Sequence, residues 1–206
     1  MKILGGYLIA IEGIDAVGKN THSNLLSARL RRRGVKTSHM SFPDYDTPIG
    51  KEIKSFLAGR RSYPTELQHL LFAANRWEKS GEIRSRLRAG ETIIVNRYTE
   101  SNLAYGRANG LDVDWLRNLE EGMPRADLVI VLDAPPKSLV SRRPASGKDA
   151  YERSSALQSK AQKAYRELAR KGGWKLIDAG GAVRDIQAAV LATVREALAR
   201  DRETKI

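Results

Sequence analysis

The sequence predicts an α/β fold, a doubly wound parallel sheet of about five strands with helices on both faces. Three observations carry this expectation. Short β-rich runs alternate with longer segments of helical periodicity. Three of the short runs are almost wholly apolar, as parallel strands covered on both faces are. The first run leads straight into Gly13, Gly18 and Lys19, spaced G-x-x-x-x-G-K. A strand, a glycine loop and then a helix is the context of a phosphate-binding loop.

Taken in order, the strands are expected at Tyr7 to Glu12 (YLIAIE), Lys36 to Phe42 (KTSHMSF), Thr92 to Asn96 (TIIVN), Leu128 to Asp133 (LVIVLD) and Trp174 to Asp178 (WKLID). A first helix runs from His22 to Arg33 and stops at Gly34. One helix is predicted from Pro64 to Leu87, with Pro64 in its first turn and Leu67, Leu70, Leu71, Ala74 and Trp77 on its core face. Val183, Ile186, Val190, Val194 and Leu198 mark a final amphipathic helix. In such sheets ligands bind at the carboxyl ends of the strands. GIDAVGKNT, FPDY and NRYTES all fall there.

The 206 residues suit a single domain, 1–206, with a sizeable core. There is no cysteine, which excludes disulfides and thiolate sites and fits a reducing compartment. The N-terminal run ILGGYLIAIEG lacks a signal peptide's plan, being broken by Gly5 and Gly6 and containing Glu12. No apolar stretch is long enough to span a bilayer, so the expectation is a soluble cytoplasmic protein without membrane contact. The net charge of +12, pI ≈ 10.1, attracts polyanions, whether nucleic acid, acidic membrane or nucleotide. The basic runs RLRRRG and RSRLRAG also read as helix ends, where cations complement the dipole. His22, His39 and His69 are scattered and do not suggest a metal site.

Gly13 and Gly18 let the loop, with Ile14, Asp15, Ala16 and Val17 between them, curl around a phosphate. Its backbone N–H groups and the helix start near Lys19 aim positive charge at the anion. Lys19 reaches the transferred phosphates. The pattern then asks for Ser or Thr to ligate Mg²⁺, whereas this chain has Asn20, with Thr21 one place late. The Asn20 carbonyl oxygen can ligate a hard cation, or the metal can rest on phosphates and waters.

Further along, Phe72 and Arg76 stand four apart in LLFAANRWE and so share a helix face. A ring that stacks a base and a guanidinium that bonds its edge make a recognition pair. Arg97 sits at the end of the third strand, a natural clamp for a phosphate. The segment SRRPASGKDAYER has the composition of a mobile lid over roughly 142–153.

EGIDAVGKNT, SFPDYDTPIG, LLFAANRWE, VNRYTESNLAY, ADLVIVLDAPP and SRRPASGKDAYER, in this order, resemble the thymidylate kinase family of P-loop nucleoside monophosphate kinases. The resemblance covers roughly Leu8 to Leu198. It implies a P-loop NTPase fold, phosphoryl transfer from ATP with Mg²⁺ to dTMP giving ADP and dTDP, a homodimer, and no specific nucleic acid partner. It implies that Asp15 meets the acceptor's sugar hydroxyl or metal, and that Phe42 and Tyr45 lie along the acceptor site, where plain packing is the alternative. Phe72 stacks on thymine and Arg76 bonds its carbonyl, while Asn102 and Tyr105 contact base and sugar. Arg97 holds the acceptor phosphate, and Tyr151 closes over the acceptor sugar.

Two departures stand out. Family members usually carry Asp before Arg97, where this chain has Asn96, so Asn20 and Asn96 both place amides where metal-organising oxygens are expected. Some relatives carry a catalytic Arg at the position of Ala16; its absence shifts the search for that cation to the lid. Arg142 and Arg143 are expected on the donor side, with Arg142 also contacting ATP, and Lys148 or Arg153 nearest the transferred phosphate. With Lys19, Asp15 and Arg97 these form the expected catalytic set. The alternatives are a kinase for another (deoxy)nucleoside monophosphate, or a catalytically weakened nucleotide- or nucleic-acid-binding relative.

Overall fold

The computed structural model describes residues 6–135, 138–139, 151 and 154–204. Of the expected lid, Tyr151 is among them, whereas Arg142, Arg143, Lys148 and Arg153 lie outside the described residues.

The strands are β1 (Tyr7–Glu12), β2 (Thr37–Ser41), β3 (Thr92–Asn96), β4 (Leu128–Asp133) and β5 (Lys175–Asp178), in one sheet of order β2-β3-β1-β4-β5. All four pairings are parallel, with Ile9 opposite Ile94 on one side and Leu128 on the other. All six residues of β1 are buried, which is why its sequence does not alternate. Burying Leu8, Ile9 and Ile11 completely contributes roughly 1.5–3 kcal/mol each. β5, at the edge, leaves Leu176 41% exposed.

The helices are α1 (Lys19–Arg31), α2 (Pro48–Leu57), α3 (Thr65–Glu78), α4 (Ser80–Arg88), α5 (Thr99–Ala108), α6 (Val113–Leu119), α7 (Ser155–Gly172) and α8 (Val183–Thr204). From β1 the chain moves to β2 on one side; from β3 it moves past β1 to β4 on the other. With right-handed crossovers, those two connections lie on opposite faces of the sheet. Accordingly α1 packs on α8 and α5 packs on α7. The reversal places the crevice at the carboxyl ends of β1 and β3.

Three expectations need correction. α1 begins at Lys19, three residues before His22, because the glycine loop itself supplies the N-cap, Gly18. The helix expected over Pro64 to Leu87 is two helices, parted at Lys79 (φ −101, ψ 0), whose N–H turns back to the Arg76 carbonyl. The Lys79 ammonium meets both Asp44, 3.1 Å away, and Glu82, 3.4 Å away, an anchor that the apolar pattern does not reveal. The core face of α3 is also not the predicted one. Leu67, Leu70 and Trp77 are exposed at 38%, 41% and 37%, while His69, Ala73, Asn75 and Arg76 are buried. Polar residues face inward here because each finds a polar partner inside. In α8, Ile186, Val190, Val194 and Leu198 are buried as predicted, and Val183 is exposed.

Candidate active site

The glycine loop leaves β1 at Glu12, and Gly13 turns it with φ 133, where a Cβ would stand 2.4 Å from the Leu132 carbonyl oxygen. Gly18 (φ 102) caps α1 without a side-chain hydrogen bond, so the first N–H groups of the helix carry no side-chain cap. Ala16 holds a left-handed φ of 64, a strained state for a residue with a Cβ. Lys19 is buried, its Nζ donating to the Ile14 carbonyl at 2.9 Å and lying 3.9 Å from Asp15. From Asp15 to His22 the loop lines a groove, together with Ser41, Asn96, Arg97 and the turn Gly181–Val183.

A second cavity adjoins this groove and shares Asp15, Phe42, Pro43, Tyr45 and Arg97 with it. Asp15 and Arg97 form an ion pair between the two. Asp15 Oδ2 accepts from Tyr105 Oη at 3.2 Å and from Gln158 Nε2 at 2.7 Å, while the Asp15 N–H donates to Gln158 Oε1 at 3.0 Å. Burial pushes the Asp15 carboxyl up, but Arg97, Lys19 and the Gln158 amide outweigh it and bring the pKa down to about 2. Arg97 takes φ 63, and its guanidinium stands over the Tyr105 ring, 5.2 Å from the centroid. Burial pushes the Tyr105 phenol up, and the Asp15 charge adds to it.

The cavity wall is aromatic. The Tyr151 ring lies 5.8 Å from Phe72, 5.8 Å from Tyr105 and 6.1 Å from Phe56. Phe42 faces the cavity but is itself buried against Tyr98, 6.3 Å away, so it lines the site and packs the core at once. Tyr45 is exposed at the rim. Arg76 is buried in an ion pair with Glu120, to which it donates from Nε and Nη2. Its Nη1 makes no hydrogen bond among the described residues, and Arg76 lines the cavity. Asn102 donates to Glu120 Oε1 at 3.1 Å.

Asn20 and Asn96, remote in sequence, meet: Asn96 Nδ2 donates to Asn20 Oδ1 and to Ser41 Oγ, the latter at 3.2 Å. Asn96 Oδ1 is buried with no hydrogen-bond partner among the described residues. Among the described residues, no three His, Cys, Asp or Glu side chains group to hold a metal. The oxygens of Asn20, Asn96 and Ser41 fit a hard cation that receives its compensating charge from phosphates.

Sequence reading missed Gln158, which ties Asp15 to the Tyr151 carbonyl. It missed Glu120, 44 residues from its partner Arg76. It also missed Glu12, whose buried carboxylate accepts from the Tyr98 N–H, Ser101 Oγ and Tyr165 Oη at 2.6, 2.6 and 2.8 Å. A carboxylate closing an apolar strand was the available signal for Glu12. Gln158 and Glu120 carried no local signal.

The family model for thymidylate kinase matches residues 11–190. A thymidylate kinase of Arabidopsis thaliana is 36% identical over 195 residues, covering 93% of this chain and 73% of that protein. One of Schizosaccharomyces pombe is 36% identical, covering 90% of each. The human thymidylate kinase is 33% identical, covering 88% of this chain and 86% of its own. The solved thymidylate kinase structure from Candida albicans superposes with a TM-score of 0.83 at 30% identity, covering 93% of this chain and 92% of that one.

Proposed function

The chain belongs to the thymidylate kinase family, and from that premise we propose that it transfers the γ-phosphoryl group of ATP to dTMP, giving ADP and dTDP. The observation that carries this reading is the pair of adjoining cavities, one lined by the phosphate loop and one by an aromatic wall with Arg76, sharing Asp15 and Arg97. In-line transfer needs alignment and positive charge more than covalent chemistry. A 5′-phosphate oxygen of dTMP forms the new P–O bond as the bond from the γ-phosphorus to the β–γ bridging oxygen breaks. The loop N–H groups and Lys19 hold the donor phosphates. Arg97, fixed by Asp15, directs its remaining N–H donors to the acceptor phosphate. Phe72 stacks the base, Arg76 bonds its carbonyl, and Tyr105 and Tyr151 close on the sugar. Mg²⁺, when bound, would neutralise charge on the phosphates, and Asn20 and Asn96 would offer it side-chain oxygens. The lid cations Arg142, Arg143, Lys148 and Arg153 belong to the same reading.

ADP release with Mg²⁺-ATP, compared across dTMP, dUMP, dCMP, dGMP and thymidine, tests it. The expected outcome is a clear preference for dTMP; equal rates sink the thymine assignment, and DNA binding without turnover sinks the kinase reading.

A homodimer is supported by the stripe of Leu67, Leu70 and Trp77 that α3 exposes. Sedimentation is expected to give twice the chain mass, and Leu67→Glu with Leu70→Glu to halve it; a monomeric parent protein counts against the dimer. A cytoplasmic location fits the lack of cysteine. Among the described residues, no helix is long and apolar enough to cross a membrane.

A further inference from the structure

Behind the aromatic wall, His69 of α3 is fully buried and borders the cavity. Its Nδ1 lies 2.7 Å from Asn102 Oδ1, and its Nε2 lies 3.2 Å from Asn109 Nδ2. The direction of every bond in this chain follows from its far end. Asn102 Nδ2 faces two acceptors, the His69 carbonyl at 3.3 Å and Glu120 Oε1 at 3.1 Å, so it is the donor there. Asn102 Oδ1 is therefore the acceptor toward His69, and Nδ1 carries the proton. Nε2 is then bare and accepts from Asn109. Burial brings the imidazole pKa down to about 4, which keeps it neutral near pH 7. The Glu120 carboxylate at the end of the chain accepts from Arg76 through Nε and Nη2, leaving Nη1 without a hydrogen bond among the described residues, and Arg76 lines the cavity.

We infer that His69 is a positioning residue for base recognition: its Nδ1–H locks the Asn102 amide, and Asn102 with Glu120 holds the Arg76 guanidinium at the base. Without the Nδ1–H donor, Asn102 Oδ1 loses its partner and the amide is held only through Nδ2, by the His69 carbonyl and Glu120, so it is free to shift against that carboxylate. The carboxylate and the guanidinium bound to it would shift together. The inference rests on the proposed reading of this cavity as the pyrimidine site, with Arg76 bonding the base carbonyl. A uracil- or thymine-type base offers Arg76 an oxygen where cytosine offers an amino group, so the preference of dTMP over dCMP reports the position of Arg76.

The test compares the parent enzyme with His69→Leu, His69→Asn and Arg76→Ala. KM and kcat are measured for dTMP, KM for ATP, and kcat/KM for dCMP. His69→Leu is expected to raise KM for dTMP about tenfold, the effect of one hydrogen bond, and to narrow the dTMP-over-dCMP preference. Its kcat and its KM for ATP are expected to stay near the parent values. His69→Asn, whose amide nitrogen can stand where Nδ1 does, is expected to recover most of the loss. A His69→Leu variant with the parental base preference, or an Asn variant no better than Leu, overturns the inference. If Arg76→Ala leaves the base preference unchanged, the reading of the cavity falls and the inference with it; if Arg76→Ala abolishes the preference and His69→Leu does not, the inference alone falls. Should the variants fail to fold, ¹⁵N spectra of the parent protein decide. They are expected to show a neutral His69 ring protonated on Nδ1, and an Nε2–H tautomer overturns the proposal.

Discussion

The two adjoining cavities are organised in opposite ways. In the aromatic cavity charge is closed into pairs: Arg76 with Glu120, and, shared with the groove, Arg97 with Asp15, each braced by neighbouring amides. On the phosphate-loop side Lys19 has a backbone carbonyl as its near partner, and two amides, Asn96 and Asn20, bond each other. One half is preorganised by the protein. In the other, the proposed nucleotide would bring the compensating charges. Preorganised groups cost little to rearrange during reaction, but each buried charge becomes a liability once its partner is removed.

The largest expected effect breaks that asymmetry directly. Arg97→Ala strips the nearer of its two cations from Asp15, whose side chain is 15% exposed. It is expected to lower kcat/KM by ~10³-fold and stability by roughly 3–5 kcal/mol. Lys19→Ala is expected to cost comparable activity with a stability loss of about 1 kcal/mol. Equal melting points for the two variants, read beside steady-state rates, remove the contrast.

A smaller effect comes from two buried carboxyls with opposite surroundings. Asp15, between two cations, has its pKa lowered from 3.8 to about 2. It therefore adds stability that is present above about pH 3.8 and lost as pH falls toward 2. Glu100, buried near Glu12, is pushed by desolvation up to about 8, and the Glu12 charge adds to it. The folded protein binds that proton more tightly than the unfolded chain, so stability declines as pH rises from about 4.5 to 8. Denaturant titrations at stepped pH are expected to show Asp15→Asn flattening the acid limb and Glu100→Gln flattening the neutral one. Unchanged limbs refute the respective account.

The smallest effect concerns the amides. Asn20→Ser with Asn96→Asp is expected to move half-saturation by Mg²⁺ a few-fold lower, the gain of one carboxylate and one hydroxyl near a hard cation. A superimposable Mg²⁺ titration removes metal organisation as the role of these positions.

The legibility of the site follows the range of its contacts. The glycine loop and Arg97 directly follow strands, and Phe72 and Arg76 share a face of one helix; these are local features, so each was readable. The structure brings Asp15, Phe42, Phe72, Arg76, Arg97, Asn102, Tyr105 and Tyr151 around one cavity. Glu120 and Gln158 were not readable, because an acidic or amide residue on a helix says nothing of a partner on another helix. The inner face of α3 was misread for the same reason. His69, Asn75 and Arg76 turn inward because Asn102, Asp44 and Glu120 await them there, and periodicity of apolar residues cannot register a polar partner.

The sequence by itself determined the alternation of strands and helices, the phosphate loop and the order of motifs along the chain. These rest on steric and periodic rules that act within a few residues. Only the tertiary structure decided which charges are paired, which way α3 faces, and that Asn20 and Asn96 touch. Those outcomes depend on burial and on partners brought together across the sheet, where an unpaired polar group is costly and a paired one is held in place.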